Sequence, residues 1–221
     1  MHFLQYRSSP MASPTICLTF DDGPNGEATE RVLEVLRQHH LQATFFLLGK
    51  NVEREPLLAR RIAEEGHIVG NHSYGHETFL AFYSVQRIKR NLERTNRLIT
   101  ESTGVTPRYF RPPNGLMTAR LQRVCDELGL TPVGVHLFVH DSFTTNASVI
   151  AQRVLRRIRG GSYILVLHDG FGTSAAPART VVADALERLI PTLQQRGYRW
   201  VGLDELIREP ALAAISSTTN R

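Results

Sequence analysis

The sequence predicts an α/β fold in which helices wrap a mostly parallel sheet, either as a barrel of TIM type or as an open doubly wound sheet. Segments with strand character and segments with helical periodicity alternate at least seven times along the chain. Such alternation is typical of parallel strands that are joined by helices. Because no internal repeat, low-complexity segment or linker interrupts the alternation, the 221 residues are expected to form a single domain.

The first half of the chain contains three short apolar strands and three helices. The strands are predicted over residues 16–20, 43–48 and 68–70, and the helices over residues 27–38, 56–65 and 85–99. Pro56 suits the first turn of the second helix, and Gly66 suits the left-handed position just beyond its end. In the other two helices the apolar residues recur at helical spacing, so one face is expected to cover a core.

The second half of the chain continues the alternation. Strands are predicted over residues 109–111, 132–139, 163–167 and 198–201, and helices over residues 121–128, 148–158, 203–207 and from about residue 181. Gly129 is expected to stop the helix before it. Pro191 is expected to interrupt or kink the helix in which it lies.

The composition is that of an ordinary globular protein, with 42% hydrophobic and 21% charged residues. No apolar run is long enough to form a transmembrane segment. Residues 1–14 are expected to be a loose leader and residues 209–221 a flexible tail, on either side of one domain that spans residues 15–208. Because the leader lacks the continuous apolar stretch of a secretory signal, a cytoplasmic location is expected.

The formal net charge of +5 comes mostly from arginines, which are spread over the helical segments. Since nucleic-acid binding needs basic residues clustered on one face, no nucleic-acid partner is expected. Cys17 falls on a predicted strand and Cys125 on a predicted helix, which argues against a disulfide framework. Both thiols are expected to be free and buried.

Two adjacent carboxylates, Asp21 and Asp22, follow the first predicted strand. Neighbouring residues inside a strand point to opposite faces, but Gly23-Pro24 ends the strand here, so both side chains could reach one cleft. The alternative interpretation is a simple polar turn. A functional cleft therefore requires partners from elsewhere in the chain.

Titratable residues also follow the later strands. They are His72 and His76 after the third strand, Arg111 after the fourth, Asp141 after the fifth, and His168 with Asp169 after the sixth. In both candidate architectures, functional groups gather at the carboxyl ends of the strands. The pattern therefore predicts a site at that edge of the sheet.

His72 and His76 have a spacing with which two imidazoles can bind one metal ion, although two surface histidines in a polar loop would look the same. A carboxylate from the Asp21-Asp22 pair would complete a His-His-Asp set that leaves positions open for water and substrate. Such a set suits a catalytic divalent ion. A structural zinc site is disfavoured, because those sites are closed four-ligand sets that are commonly rich in cysteine.

The remaining strand-end residues each have two interpretations. Arg111 could be a solvated loop cation, but its position between Phe110 and two prolines favours partial burial beside a carboxylate. His168 could be a structural histidine, or a general acid at the end of an apolar strand. Asp141 could start a helix, or it could orient His168.

These residues, in this order, resemble the polysaccharide deacetylase family that shares the NodB-homology domain, also called carbohydrate esterase family four. Five motifs carry the resemblance, namely residues 19–24 (Thr-Phe-Asp-Asp-Gly-Pro), 72–76 (His-Ser-Tyr-Gly-His), 111–115 (Arg-Pro-Pro-Asn-Gly), Asp141 with its neighbours, and 166–170 (Val-Leu-His-Asp-Gly). The first two motifs and the last are specific in combination. The resemblance extends from about residue 16 to residue 207.

The resemblance implies a distorted (β/α) TIM-like barrel of about seven parallel strands, which removes N-acetyl or sometimes O-acetyl groups from sugars. It implies that Asp22, His72 and His76 hold one divalent metal ion, with Zn²⁺ expected first and Co²⁺ or another divalent ion as alternatives. Catalytic roles follow for four further residues: Asp21 as general base, Arg111 as its partner, His168 as general acid and Asp141 as the residue that tunes His168. The backbone N–H of Asn114 would face the oxyanion together with the metal.

Three positions depart from the family pattern. Ser142 and Phe143 follow Asp141, where the family usually has Trp, and this alters the expected groove wall. Asn114 stands where Tyr is common, and Val166 stands where Leu is usual and would leave more room around an acetyl methyl group. Substrate contacts are predicted for Asn114, Tyr74, Phe143 and Val166.

The predicted function is that of a metal-dependent deacetylase acting on N-acetylated oligosaccharides or polysaccharides, such as chitooligosaccharide or peptidoglycan-like glycans. One alternative is an O-acetyl esterase on acetylated xylan, and another is a catalytically inactive relative that binds carbohydrate. A glycosidase that uses Asp21 with Asp22 or Asp169 is disfavoured, because that mechanism needs separated carboxylates and no metal ligands.

Overall fold

Seven parallel strands lie side by side in one sheet that curls into a half-barrel, and an eighth short parallel strand joins the same sheet. The computed structural model describes residues 2–3, 14–173 and 180–208. The predicted leader lies outside these ranges apart from residues 2–3 and Pro14, and the predicted tail, residues 209–221, lies outside them entirely. The predicted fold class is confirmed, and the barrel is the correct one of the two architectures.

The strands are short, and they pair in an order that differs from their order in the chain. They are β1 (His2–Phe3), β2 (Thr15–Asp21), β3 (Thr44–Leu47), β4 (Ile68–Asn71), β5 (Tyr109–Phe110), β6 (Leu116–Met117), β7 (Thr131–Pro132), β8 (Leu137–Phe138), β9 (Ser162–His168) and β10 (Arg199–Trp200). The parallel sheet has the order β7-β5-β4-β3-β2-β9-β8, and β10 pairs with the start of β2. β1 and β6 form a separate antiparallel pair.

Eight α-helices connect and cover the strands within the described ranges. They are α1 (Gly26–Gln38), α2 (Gly49–Arg54), α3 (Pro56–Glu64), α4 (Val85–Thr103), α5 (Ala119–Glu127), α6 (Ala147–Arg157), α7 (Val181–Gln195) and α8 (Leu203–Arg208). Helix α2 was not predicted, since it has only six residues and begins at a glycine. Its first N–H groups donate to backbone carbonyls of the loop after β4, which supports the helix from outside its own sequence.

The predicted strand over residues 132–139 is wrong in one respect. It is two strands, β7 and β8, which lie at opposite edges of the parallel sheet. Only residues 133–136 separate them, and a link of that length spans at most about 18 Å. The two edges must therefore approach each other, and this short link is the reason that the sheet curls.

Pro191 does not interrupt its helix, because α7 continues through it to Gln195. An internal proline costs a helix about 3 kcal/mol. The apolar face around it, including Leu186, Leu189 and Leu193, is fully buried in the main core. Burial of that face outweighs the local cost.

Strand β2 is buried along its whole length and separates two environments. Ile16, Leu18 and Phe20 point into the core that is covered by α1, α6 and α7. The alternate residues point into the barrel, where Cys17 packs against Phe46 and Asp21 lies at the carboxyl end. The strand thus supplies a core on one face and a functional group on the other.

Two smaller expectations concern membranes and thiols. None of the helices in the described ranges is long and apolar enough to cross a bilayer. Cys17 and Cys125 are free and buried, as predicted.

Candidate active site

A cavity of about 560 Å³ opens at the carboxyl ends of the parallel strands. Its lining includes the predicted residues Asp21, His72, His76, Arg111, Asn114, Val166 and His168. Asp22 lies next to the two histidines, and Asp141 lies behind His168. The strand-end residues that the sequence indicated therefore meet in one place, because they all follow parallel strands.

Asp22, His72 and His76 form a compact group of possible metal ligands. Their ligand atoms all lie within 4.8 Å of one another. The Oδ1 atom of Asp22 is 3.6 Å from Nε2 of His72 and 3.8 Å from Nε2 of His76. These separations fit atoms that surround one divalent ion at about 2.0–2.2 Å each.

The hydrogen bonds and charges of this group also suit a metal ion. Asp22 Oδ1 is buried and has no hydrogen-bond partner among the described residues, which is costly unless a cation satisfies it. The Nδ1 atom of His72 is 2.7 Å from the carbonyl oxygen of Arg111, so Nδ1 carries the proton. The Nε2 atom then has a free lone pair with which it can bind a metal ion. Burial lowers the pKa of His72 in spite of the nearby carboxylates, which keeps the imidazole in its neutral, metal-binding form.

The backbone of Asp22 is held in a conformation that is uncommon for a residue with a side chain. Its φ is 75°, in the left-handed region. The buried side chain of Asn51 on α2 donates to the Asp22 carbonyl at 2.7 Å and to the Gly172 carbonyl at 3.0 Å. The Gly172 N–H donates to Oδ2 of Asp22 at 2.8 Å. Two neighbouring segments therefore fix the carboxylate with only Oδ1 directed at the histidines.

The loop that carries His72 and His76 is anchored by two asparagines. The N–H of Ser73 donates to the side chain of Asn71 at 2.8 Å, and the N–H of Tyr74 donates to the side chain of Asn91 on α4 at 3.0 Å. The N–H of His76 donates to the Ser73 hydroxyl at 3.1 Å. With so many backbone groups bonded, the loop holds the two imidazoles at a fixed spacing.

Asp21 forms a buried ion pair with Arg111. Oδ1 of Asp21 accepts from Nη1 of Arg111 at 2.7 Å, and only 1% of the Arg111 side chain is exposed. The same Nη1 atom donates to the Thr19 hydroxyl at 2.8 Å, and the guanidinium lies 4.1 Å above the ring of Phe46. Burial would raise the pKa of Asp21, but the charge and hydrogen bond of Arg111 together with the charges of His72 and His168 outweigh it, and the pKa falls below its usual value. Asp21 is therefore a carboxylate at neutral pH.

His168 is paired with Asp141 on the opposite wall. Its Nδ1 atom lies 2.9 Å from Oδ1 of Asp141, and its backbone N–H donates to Oδ2 at 2.8 Å. Burial alone would lower the pKa of His168, but the charge and hydrogen bond of Asp141 raise it to about 9. In the β2–β9 register His168 lies directly opposite Asp21. A carboxylate and an imidazolium thus face one cavity.

Two predicted substrate contacts lie outside the cavity lining. Tyr74 donates its hydroxyl to Glu53 at 2.8 Å, and the Arg94 guanidinium covers its ring at 3.7 Å. Phe143 is 76% exposed on the surface. Their roles in substrate binding stay predictions, as do the roles of Asn114 and Val166, which do line the cavity.

Asp169 does not line the cavity, although it is adjacent to His168. It is buried, it accepts from the Thr29 hydroxyl at 2.6 Å, and it lies against Gly23. Burial raises its pKa to about 7. Because Asp169 lies behind Gly23 and outside the cavity lining, it is not placed to act with Asp21 as the second carboxylate of a glycosidase.

The sequence reasoning missed four lining residues and one buried support. Val135, His136, Phe138 and His140 line the cavity, and Asn51 holds the backbone of Asp22. The aromatic and imidazole rings at alternate positions 136, 138 and 140 were a visible signal. The signal was hidden because this segment was interpreted as one continuous strand.

Comparison with known proteins shows which family the chain is similar to. A sequence model of the polysaccharide deacetylase family matches residues 8–133. The chain is 34% identical over 198 residues to a chitooligosaccharide deacetylase of Bradyrhizobium sp., covering 87% of this chain and 90% of that protein. It is 35% identical over 194 residues to a peptidoglycan-N-acetylglucosamine deacetylase of Listeria monocytogenes, covering 88% of this chain but only 39% of that protein.

Solved structures share the fold. An acetyl xylan esterase of Clostridium thermocellum, solved with a cobalt ion, is 36% identical with a TM-score of 0.77, covering 87% of this chain and 90% of that one. A pseudoenzyme of carbohydrate esterase family four from Bacillus anthracis is 29% identical with a TM-score of 0.80, covering 90% of this chain and 66% of that one. Membership of this structural group therefore does not by itself establish activity, and the site residues must carry the functional argument.

Proposed function

Because the chain belongs to the polysaccharide deacetylase family, we propose that it is a metal-dependent hydrolase that removes acetyl groups from N-acetylated sugars. The observation that carries this proposal is the orphaned Oδ1 atom of Asp22, which faces the Nε2 atoms of His72 and His76. A carboxylate and a raised-pKa imidazole flank that group in the same cavity. The proposed substrates are glycans of the chitooligosaccharide and peptidoglycan type, on which the related enzymes act.

Asp22, His72 and His76 would hold the metal ion, with zinc as the first expectation and cobalt as an alternative. When bound, a divalent ion supplies Lewis-acid chemistry, since it polarises a carbonyl group and makes water easier to deprotonate. The three protein ligands leave positions open for water and substrate, as in catalytic rather than structural sites.

Asp21 is the proposed general base. It lies next to the metal ligands, and Arg111 keeps it ionised, so its free oxygen can accept a proton from the attacking water. The bond to Arg111 also fixes the orientation of the carboxylate. The backbone N–H of Asn114, at the edge of the same cavity, is proposed to stabilise the negative charge that develops on the carbonyl oxygen.

His168 is the proposed general acid. Amide hydrolysis requires that the departing nitrogen receive a proton, because an amide anion is too basic to leave. Asp141 binds Nδ1 of His168 and stabilises the imidazolium, so Nε2 can donate a proton into the cavity. An acid held protonated above neutral pH favours an amide substrate over an ester, whose alkoxide leaves more readily.

One experiment distinguishes the proposed deacetylase from an O-acetyl esterase and from an inactive relative that binds carbohydrate. Purified protein is incubated with zinc or with EDTA, and acetate release is measured from chitooligosaccharides, peptidoglycan fragments and acetylated xylan. We expect release from the N-acetylated glycans, its loss with EDTA and its return when zinc or cobalt is added. Release from xylan alone would establish the O-acetyl esterase instead. An absence of release from all three substrates by metal-loaded protein would identify an inactive, carbohydrate-binding relative.

A further inference from the structure

Two phenylalanine rings are exposed side by side at the short 3₁₀ turn Leu80–Phe82, which precedes α4. Phe79 is 65% exposed and Phe82 is 49% exposed, and their ring centroids lie 6.5 Å apart. The residues between them, Leu80 and Ala81, are buried in a core cluster that they share with α4 and α5. The turn thus presents two adjacent apolar rings to solvent, which is more typical of an interaction site than a single exposed ring is.

The turn is held in this position by side chains of the segment that begins α5. The Thr118 hydroxyl donates to the Ala81 carbonyl at 2.8 Å, and Nη1 of Arg120 donates to the carbonyls of Phe82 and Tyr83 at 3.1 and 3.0 Å. Because these bonds fix the backbone, the two phenyl rings keep their outward positions and lose little conformational entropy when they are covered.

Three arginines lie around the two rings. The Arg87 guanidinium lies 3.6 Å from the centre of the Tyr83 ring, and Arg90 follows three residues later on the same exposed side of α4. Arg120 is bonded to the turn itself. Within the described part of the chain, the ion pairs of α4 and α5 leave these three arginines without a carboxylate partner. We call Phe79, Phe82, Arg87, Arg90 and Arg120 the aromatic–arginine patch.

We propose that the aromatic–arginine patch docks on the surface of a membrane that contains anionic lipid, an interaction that goes beyond the proposed function. Phenyl rings enter the boundary between headgroups and acyl chains, while guanidinium groups form charge-assisted hydrogen bonds with lipid phosphates. An uncharged glycan would offer no partner to the arginines, and a polyanion in solution would leave the phenyl rings in water. Docking would also bring the cavity near the membrane, because the chain from His76, which lines the cavity, to Phe79 spans at most about 11 Å.

The test measures binding of the full chain to lipid vesicles by sedimentation. One set of vesicles contains phosphatidylcholine alone, and the other contains phosphatidylcholine mixed with phosphatidylglycerol, which is anionic. We expect binding to the mixed vesicles only, and weaker binding as salt is added, because salt screens the arginines. Phe82→Ala and Arg87→Gln should each lower the partition coefficient about fivefold. An absence of binding to the mixed vesicles at low salt would overturn the proposal.

Two variants outside the patch are the matched controls. Leu57→Ala removes an apolar side chain that is 75% exposed on α3, and Arg156→Gln removes one positive charge from the exposed side of α6. We expect both to bind the mixed vesicles as the unchanged protein does. An equal loss of binding in Arg87→Gln and Arg156→Gln would reject the patch, since it would mean that the net charge alone attracts the protein to the vesicles.

A fluorescence measurement tests whether the ring at position 79 enters the membrane. Trp200 is the single tryptophan of the chain, so Phe79→Trp combined with Trp200→Phe places one indole in the patch. Its emission should shift to shorter wavelength when the mixed vesicles are added, whereas Leu57→Trp combined with Trp200→Phe should show no shift. The same emission from position 79 with and without vesicles would contradict insertion.

A second copy of the chain is the other occupant that the measurements can identify. Size-exclusion chromatography with light scattering gives the oligomeric state of the unchanged protein and of Phe82→Ala. We expect both to have the same oligomeric state. A dimer that Phe82→Ala dissociates, together with no binding to vesicles, would overturn the membrane proposal. None of these measurements depends on acetate release, so the proposal and the proposed function can fail separately.

Discussion

Asp21 and Asp22 are neighbours in the chain, yet their carboxylates have different partners. Asp21 continues the strand and pairs with Arg111 inside the barrel. Asp22 adopts a left-handed backbone conformation, which directs its Oδ1 atom towards His72 and His76. At the residue scale, one change of backbone conformation thus separates the proposed base from the proposed metal ligand.

This separation predicts opposite effects of two similar substitutions. Asp21→Asn should lower kcat by about 10² to 10⁴, the contribution of a general base, while zinc remains bound. Asp22→Asn should lose zinc, because a neutral amide replaces the anionic ligand. Acetate release and metal content of the purified variants are the measurements. Loss of zinc from Asp21→Asn with retention in Asp22→Asn would mean that the two roles are exchanged.

The pairing of His168 with Asp141 predicts a pH dependence. The raised pKa of His168 means that the proton needed by the leaving group is present below about 9 and is lost as the pH rises through that value. Asp141→Asn removes the stabilising charge, so the alkaline limb of the kcat profile should move to lower pH. Profiles are compared with the same metal bound in both proteins. An alkaline limb at the same pH in both proteins would show that Asp141 does not raise the pKa of His168.

At the element scale, the short helix α2 supports the site from behind. Its first two N–H groups bind the carbonyls of Ser73 and Tyr74, and its buried residue Asn51 binds the carbonyls of Asp22 and Gly172. One element therefore contacts both segments that carry proposed metal ligands. Helix α2 is stable in this position because its polar groups are satisfied by those loops rather than by its own length.

Removing the Asn51 side chain should weaken metal binding without removing a ligand. Asn51→Ala is expected to lower zinc affinity about tenfold, since hydrogen bonds behind a metal ligand typically contribute between 10-fold and 100-fold. Zinc affinity is measured by competition with a chromophoric chelator, and Lys50→Ala on the exposed side of α2 is the control. Unchanged affinity in Asn51→Ala would restrict Asn51 to a role in folding.

At the scale of the whole molecule, the curl of the sheet assembles the cavity from distant segments. Arg111 follows β5, which is separated from β2 by two other strands in the sheet, yet it reaches Asp21 across the barrel. The close approach of β7 and β8 at the two sheet edges places residues 135 and 136 in the same cavity wall. An open, flat sheet would leave these groups apart.

Metal binding should stabilise the whole fold, because the ligands belong to two segments that unfolding would separate. Zinc at 100 times its Kd should add about 2.7 kcal/mol to the free energy of unfolding, which corresponds to a rise in Tm of about 5–10 °C for a domain of this size. Thermal unfolding with zinc and with EDTA measures the effect. His76→Ala, with one ligand missing, should show a much smaller rise. The same Tm with zinc and with EDTA would contradict the ligand assignment.

The sequence by itself determined the α/β class, most of the strands and helices near their observed bounds, and the titratable residues that follow the strands. Those features are local, since periodicity, turn residues and motif spacing are properties of neighbouring positions. The free, buried state of Cys17 and Cys125 was predictable in the same way.

Only the tertiary structure decided which distant groups meet. The bond between Arg111 and Asp21 joins residues 90 positions apart, and the bond between Asn51 and the Asp22 carbonyl comes from a helix with no sequence signal of its own. The tertiary structure also divides residues 132–139 into two strands at opposite edges of the sheet. Residues between and within these strands line the cavity. The physical reason is that strand pairing and sheet curl depend on non-local packing and register, which no local pattern of residues encodes.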